Sequence, residues 1–302
     1  MPMGILDENN LNIEEWRKNN PMDYYKALRI LADADDGRVA TEVFNAIYIV
    51  TRKYLPEVLY KYYSLSEDNN LNKMKLQTLS EGKIYMSEIK DFNDPFDGKA
   101  FYYNPKGLED IERLKIHKGR IIDNFTAFVK GTCFTANGVQ SMPMWAHYSN
   151  NHKGFCVSYN VQEDLKLQSG IFPVQYTEER LDVTSLLRKH AELICQKIDE
   201  NVKQGEKTTI IEDLRIIYMA LLLYNVKHTS WNYEKEFRCI VSSKERGMPY
   251  IKAIPKDIYI GMKCAEYHKK ALMDIADYWD IPIYQMGMDE CADRYELIAN
   301  RL

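Results

Sequence analysis

Glycine-rich phosphate signatures are missing from this sequence. No G-x-G-x-x-G follows any predicted strand and no G-x-x-x-x-G-K-[ST] occurs, which excludes a Rossmann dinucleotide fold and a P-loop. No G-x-S-x-G elbow is present, which argues against an α/β-hydrolase. The six cysteines, at 133, 156, 195, 239, 264 and 291, form no C-x-x-C pair, so a zinc ribbon or thioredoxin motif is not expected. Scattered in this way, they read as small buried hydrophobes in a reducing compartment. Long apolar runs are also lacking: IIYMALLLY, residues 216–224, is too short to span a bilayer. MPMGILDENN, residues 1–10, has no cationic stretch before an apolar run, so no signal peptide is expected. There is no cationic excess either. The 40 Lys+Arg against 44 Asp+Glu leave a net charge of -4, which argues against a broad nucleic-acid or anionic-membrane footprint. The expectation is a soluble, cytoplasmic protein with no membrane partner.

What is present is ordinary globular composition, 45% hydrophobic and 28% charged over 302 residues. Tyrosine stands out, with 22 Tyr against 10 Phe, and its hydroxyl tip suits both half-buried packing and polar-lined pockets. Residues 11–55 carry apolar positions at helical spacing, with Pro21 able to open a helix and Pro56 following the last one. They are expected to form an N-terminal helical extension, residues 1–56, ahead of an α+β domain, residues 57–302. From residue 58 the texture changes. VLYKYY (58–63), KIYMS (83–87), GTCFT (131–135), GFCVSYN (154–160) and EFRCIVS (236–242) read as strands. IFPVQY (171–176) reads as an edge strand because of its proline. Residues 69–80, 107–128, 142–149 and 265–279 read as helices, and 180–227 as two. PYIKAI (249–254) is expected to pair with EFRCIVS, and 257–288 to close the chain as strand-helix-strand. Short strands separated by unequal helices predict an α+β fold with a mixed sheet.

Four segments could carry chemistry. In Trp231–Arg238, strand alternation would put Glu234, Glu236 and Arg238 on one face. Such a face is either an exposed edge with an Arg–Glu pair or a paired-carboxylate site suited to stabilising a developing cation. In Trp145-Ala146-His147-Tyr148-Ser149, spacing places Trp145, Tyr148 and Ser149 on one helix face with His147 beside it. This is either a buried aromatic face or a ligand platform. His147 and His152 lack the further ligands that a zinc site needs, so no metal is expected. Lys61 lies on the first strand, and Asn93–Asp97 is a turn whose Asp94 and Asp97 either cap it or bind a metal weakly.

In order, Leu59–Tyr62, Gly82–Ser87, Asn93–Asp97, Cys133–Phe134, Met144–Tyr148, His152–Gly154 and Trp231–Arg238 resemble an uncharacterised, mostly bacterial family, domain of unknown function 2971. The likeness spans about residues 57–290. Tyr63 stands where that family usually has Arg. The order of elements is also similar, more remotely, to the ADP-ribosyltransferase core with its mixed, split β-sheet. That resemblance implies NAD as the substrate. Glu236 and Glu234 would be catalytic, and Lys61, Tyr63, Phe134, Trp145, His147 and Tyr148 would bind NAD. The implied function is an NAD-consuming ADP-ribosyltransferase or NAD glycohydrolase, a glycosyl transferase of toxin or antiviral-defence type. The acceptor would be a protein, a nucleic acid or water, and a homo-oligomer is compatible with it. Two alternatives stay open: a non-catalytic ligand-sensing module walled by Trp231 and Trp145, and a metal-dependent nucleic-acid hydrolase using Asp94, Asp97, Glu234 and Glu236.

Overall fold

A computed structural model describes residues 22–121, 129–205, 212–242 and 249–302, so the helical expectation over residues 11–21 and at 122–128 lies outside the described residues. In chain order the principal elements are α1 (Tyr25–Asp33), α2 (Gly37–Lys53), β1 (Val58–Tyr63), α3 (Asn69–Ser80), β2 (Val129–Thr135), α4 (Met142–Tyr148), β3 (Phe155–Asn160) and α5 (Leu165–Gly170). They continue with β4 (Ile171–Pro173), α6 (Thr184–Gln204), α7 (Leu214–Leu223), β5 (Glu236–Ser242), β6 (Asp257–Ile260), α8 (Glu266–Trp279), β7 (Ile283–Met288) and β8 (Leu297–Arg301). Among the described residues no helix is long and apolar enough to cross a membrane.

The chain divides into two interleaved compact units. The first comprises residues 1–54, 88–129 and 173–231, and the second 55–87, 130–172 and 232–302. The helices α1 and α2, which lie in the expected N-terminal extension, contribute to the core of the first unit. Leu28, Leu31, Val43 and Ile47 are fully buried there, and Phe44 stacks on Tyr218 of α7 at 4.4 Å between ring centroids. The sequence shows why two of its helices start where they do. Asp36 caps α2 by accepting from the Arg38 and Val39 amides, both at 2.9 Å, which satisfies donors that the first turn leaves open. Asp213 caps α7, accepting from the Arg215 amide at 3.1 Å. It is buried there with the Arg215 side chain, which donates at 2.9 and 2.8 Å, and with His190 Nδ1 at 3.0 Å.

The second unit is built on a nine-stranded sheet ordered β8-β7-β6-β3-β1-β2-β5-β4, with Ser87–Glu88 pairing beside β2. It is mixed: β1 runs antiparallel to both β2 and β3, whereas β6 and β7 are parallel and joined by α8. That closing strand-helix-strand matches the expectation, and α3 begins at a capping Asp68 whose carboxylate accepts from Asn70 and Leu71. The fold is thus a mixed α/β architecture on a mixed open sheet. Two local readings differ. Residues 105–117 form two 3-10 turns, Pro105–Leu108 and Glu112–His117, in place of a helix. The second turn ends at Lys118 in the left-handed region, φ 51. Tyr250–Lys252 pairs antiparallel with Lys83–Tyr85 and not with β5, because that register sets Ile251 opposite the fully buried Ile84.

Candidate active site

The register of β1 divides the expected site. Tyr60 and Tyr62 point to the face covered by α4, where Tyr62 meets Trp145 edge-on at 5.0 Å and Tyr60 and Tyr148 border the same cluster. Alternation sends Lys61 and Tyr63 to the opposite face. There the Lys61 ammonium lies 5.4 Å from the Tyr63 ring and 6.0 Å from the Phe134 ring, and it donates to the Cys133 carbonyl at 3.3 Å. Burial pulls its protonation range downward, opposed by the charges of Cys133 and Glu236. Tyr63 stacks on Phe155 at 4.8 Å and shares a 3.1 Å hydroxyl contact with Tyr159, while Phe134 is buried edge-on against Tyr159. Lys61, Tyr63 and Phe134 therefore form packing on the far face and do not join the residues of α4.

The α4 face does collect a polar group. The Tyr148 hydroxyl donates to Glu234 Oε1. Burial and then that bond push the phenol well above its ordinary range, with Glu236 adding to the effect. Arg238 grips Glu236 with a two-pronged contact, Nε to Oε1 at 2.7 Å and Nη2 to Oε2 at 3.1 Å. Glu236 and Arg238 are 5% and 1% exposed, so this is a desolvated, charge-assisted fork. The Cys133 thiol also lies against Glu236; burial first, then that carboxylate, raise its protonation range. Sequence reasoning set Cys133 aside as strand packing, and its parity with Thr135, the partner of Tyr60, was the available signal.

Glu234 reaches this face by a different route from the one that alternation predicts. It ends a 3-10 turn, Thr229–Glu234; Lys235 is left-handed at φ 44, and the strand starts only at Glu236. The kink is held by the residues after β2. The Thr135 hydroxyl donates to the Glu234 carbonyl at 2.5 Å, the Ala136 amide to the Lys235 carbonyl at 3.1 Å and the Asn137 amide group to the Tyr233 carbonyl at 2.6 Å.

Trp145 is not available for stacking on a ligand. It is fully buried, its indole N–H donates to the Val139 carbonyl at 2.8 Å, and the His152 ring lies parallel to it at 5.9 Å. The exposed rings at the margin are His147 and Tyr233, 6.3 Å apart, with His147 6.5 Å from Tyr148. Behind them, Asn150, Asn151 and His152 are all left-handed, at φ 51, 55 and 67, and turn the chain into β3. Gly154 allows that turn, because a Cβ there would collide with the Tyr63 carbonyl oxygen.

The remaining motifs part company. Asp94, Asp97 and Trp231 belong to the first unit and Glu234, Glu236 and Trp145 to the second. Among the described residues no group of three or more His, Cys, Asp or Glu is placed to hold a metal ion. No curated protein and no solved structure matches the chain. Residues 144–239 match the family model described as Protein of unknown function (DUF2971). That span runs from within α4 through the Glu236–Arg238 fork and covers about a third of the chain.

Proposed function

We propose that the α4 face is the catalytic centre of an NAD-consuming enzyme that releases nicotinamide and passes ADP-ribose to water or to another acceptor. The observation that carries this reading is the convergence of Tyr148, Glu234 and Glu236 on one polar cluster from two separate parts of the chain. Breaking the nicotinamide–ribose bond sends its electron pair to the pyridinium nitrogen and leaves an oxocarbenium-like sugar. A fixed carboxylate beside that sugar lowers the barrier, because it is already oriented when the charge develops. Glu236, held by Arg238, supplies that charge. Glu234, hydrogen-bonded to Tyr148, takes the proton that the attacking water or acceptor gives up. His147 and Tyr233 supply the exposed rings for nicotinamide, in place of Tyr148 or Trp145.

The test is to incubate the purified full chain with NAD, with and without cell lysate, and to follow nicotinamide release. Melting temperatures are taken in parallel. The parent releases nicotinamide, and Glu236→Gln loses about 10²–10³-fold in rate. Glu234→Gln impairs transfer more than hydrolysis, and Tyr148→Phe lowers both while the protein stays folded. A parent that is inert under both conditions refutes the reading. Full activity in Glu236→Gln does so equally.

A further inference from the structure

The first unit contains a cavity of about 420 Å³, within the size range of small-molecule sites. Glu178, His228 and Ser230 all line it, and the chemistry proposed at Glu236 uses none of them. Two short strands bring them together. Gln175–Thr177 and Val226–His228 run parallel, with His228 opposite Thr177. Glu178 therefore follows directly on the residue beside His228, and Ser230 sits in the turn that leaves the second strand.

The three side chains are linked in series. Ser230 Oγ lies 2.9 Å from His228 Nδ1, and Glu178 Oε2 lies 3.3 Å from His228 Nε2. The direction of these contacts follows from a third. The Ser230 backbone amide, which can only donate, reaches the same Nδ1 at 3.3 Å. Nδ1 is thus the bare nitrogen, and the ring proton sits on Nε2 and donates to Glu178. Thr229 Oγ1 donates to the other oxygen of that carboxylate, Oε1. A hydroxyl, a base beside it and a carboxylate that holds the base in the right tautomer make up a nucleophilic triad, which recurs on unrelated folds and is recognised by geometry. Here the serine meets Nδ1 and the carboxylate Nε2, the reverse of the usual sense. All three residues are exposed, so a substrate can reach the hydroxyl.

The rest of the wall selects the substrate. It carries three carboxylates, Asp94, Glu178 and Glu179, against two cations, Arg180 and Lys227. Arg180 donates to the Lys99 and Phe101 carbonyls. Lys227 is buried 4.4 Å from the centre of the Trp231 ring and has a further partner. No surplus positive charge is left to receive an anion. Phe96, Ala100, Val226 and Trp231 supply apolar surface. A neutral ester with a short apolar acyl chain fits this wall.

We propose that Ser230 and His228, positioned by Glu178, hydrolyse such an ester. Ser230 Oγ attacks the carbonyl carbon while its proton passes to His228 Nδ1. The tetrahedral intermediate expels the alcohol, which takes that proton and leaves an acyl-serine. Water, deprotonated by His228, then attacks the acyl-serine, releasing the carboxylic acid and restoring the hydroxyl.

The full chain is treated with an alkyl fluorophosphonate, which bonds to an activated serine with loss of fluoride, and the label is located by peptide mass mapping. Hydrolysis of p-nitrophenyl butyrate and melting temperatures are measured alongside. The label falls on Ser230. Ser230→Ala takes no label there, loses at least about 10²-fold in kcat/KM and melts like the parent, because the side chain is exposed. Glu178→Gln lowers kcat at least about tenfold with KM and melting temperature unchanged. A parent that neither takes the label on Ser230 nor hydrolyses the ester above the solvent rate overturns the proposal, and so does failure in either assay alone. Undiminished hydrolysis by Ser230→Ala, or an unchanged kcat in Glu178→Gln, overturns it as well.

Discussion

Arg238 is a charged side chain almost completely withdrawn from water, and its partner Glu236 is nearly as deep. Desolvating such a pair costs about as much as its attraction returns, so the fork adds little net stability while intact. Removing one member is another matter, because the other is then buried without its counter-charge. Arg238→Met is expected to cost about 3–5 kcal/mol, whereas the double variant Glu236→Leu/Arg238→Met recovers most of that loss. Urea midpoints for the two variants and the parent decide this, and an Arg238→Met protein as stable as the parent would contradict the burial described. The same reasoning bears on catalysis. In the proposed mechanism Glu236 is held by Arg238 of the same core strand, so activity and stability must be measured together for any change there.

At the scale of one element, α7 shows how a cap doubles as a pH-sensitive lock. Burial alone would push the Asp213 carboxyl up, but hydrogen bonds from His190 and Arg215 more than reverse that and hold it well below the ordinary carboxylate range. Its folded-state value is thus lower than the unfolded value of about 3.9. The stabilisation is fully present above about pH 4 and is lost as the pH falls below that toward the folded value. Asp213→Asn removes this contribution. The stability gap between parent and variant should therefore be full at pH 6 and shrink steadily below about pH 4 in urea titrations. A gap that stayed constant down to pH 2.5 would show that the carboxylate's charge is not what holds the start of α7.

At the scale of the molecule, each compact unit is assembled from three stretches of chain. A cut at one point in the sequence cannot release either of them whole. Deleting residues 1–56 removes α1 and α2 and uncovers the side of α7 on which Phe44 stacks against Tyr218. Losing that much buried apolar surface, at roughly 25 cal/mol per Å², exceeds what a marginally stable unit can lose. Residues 57–302 alone should bind a hydrophobic dye, melt without a sharp transition and be cleaved between residues 173 and 231 in limited proteolysis. A cooperative melt at the parent's temperature would show that residues 1–56 do not help to hold the first unit together.

Much of this protein was legible in the order of its residues. The strands rich in aromatic and β-branched residues and the strand-helix-strand at the end are local matters, governed by propensity over a few residues. The family segment was legible for the same reason, since Met144–Tyr148 and Trp231–Arg238 are compact motifs. What only the tertiary structure decided was which of those motifs face one another. Lys61 and Tyr62 are neighbours in sequence yet lie on opposite faces of the sheet, because a strand's period is two residues and the register of β1 against β3 sets Tyr62 beside Cys156 under α4. Glu234 reached the Glu236 face through a left-handed Lys235, a backbone choice held by hydrogen bonds to residues 135–137 that no local pattern announces. Trp145 looked like a ligand platform by helical spacing, but the sheet beneath and His152 beside it enclosed the ring. Long-range packing determined the site, and that information resides in contacts between segments, not within any one of them.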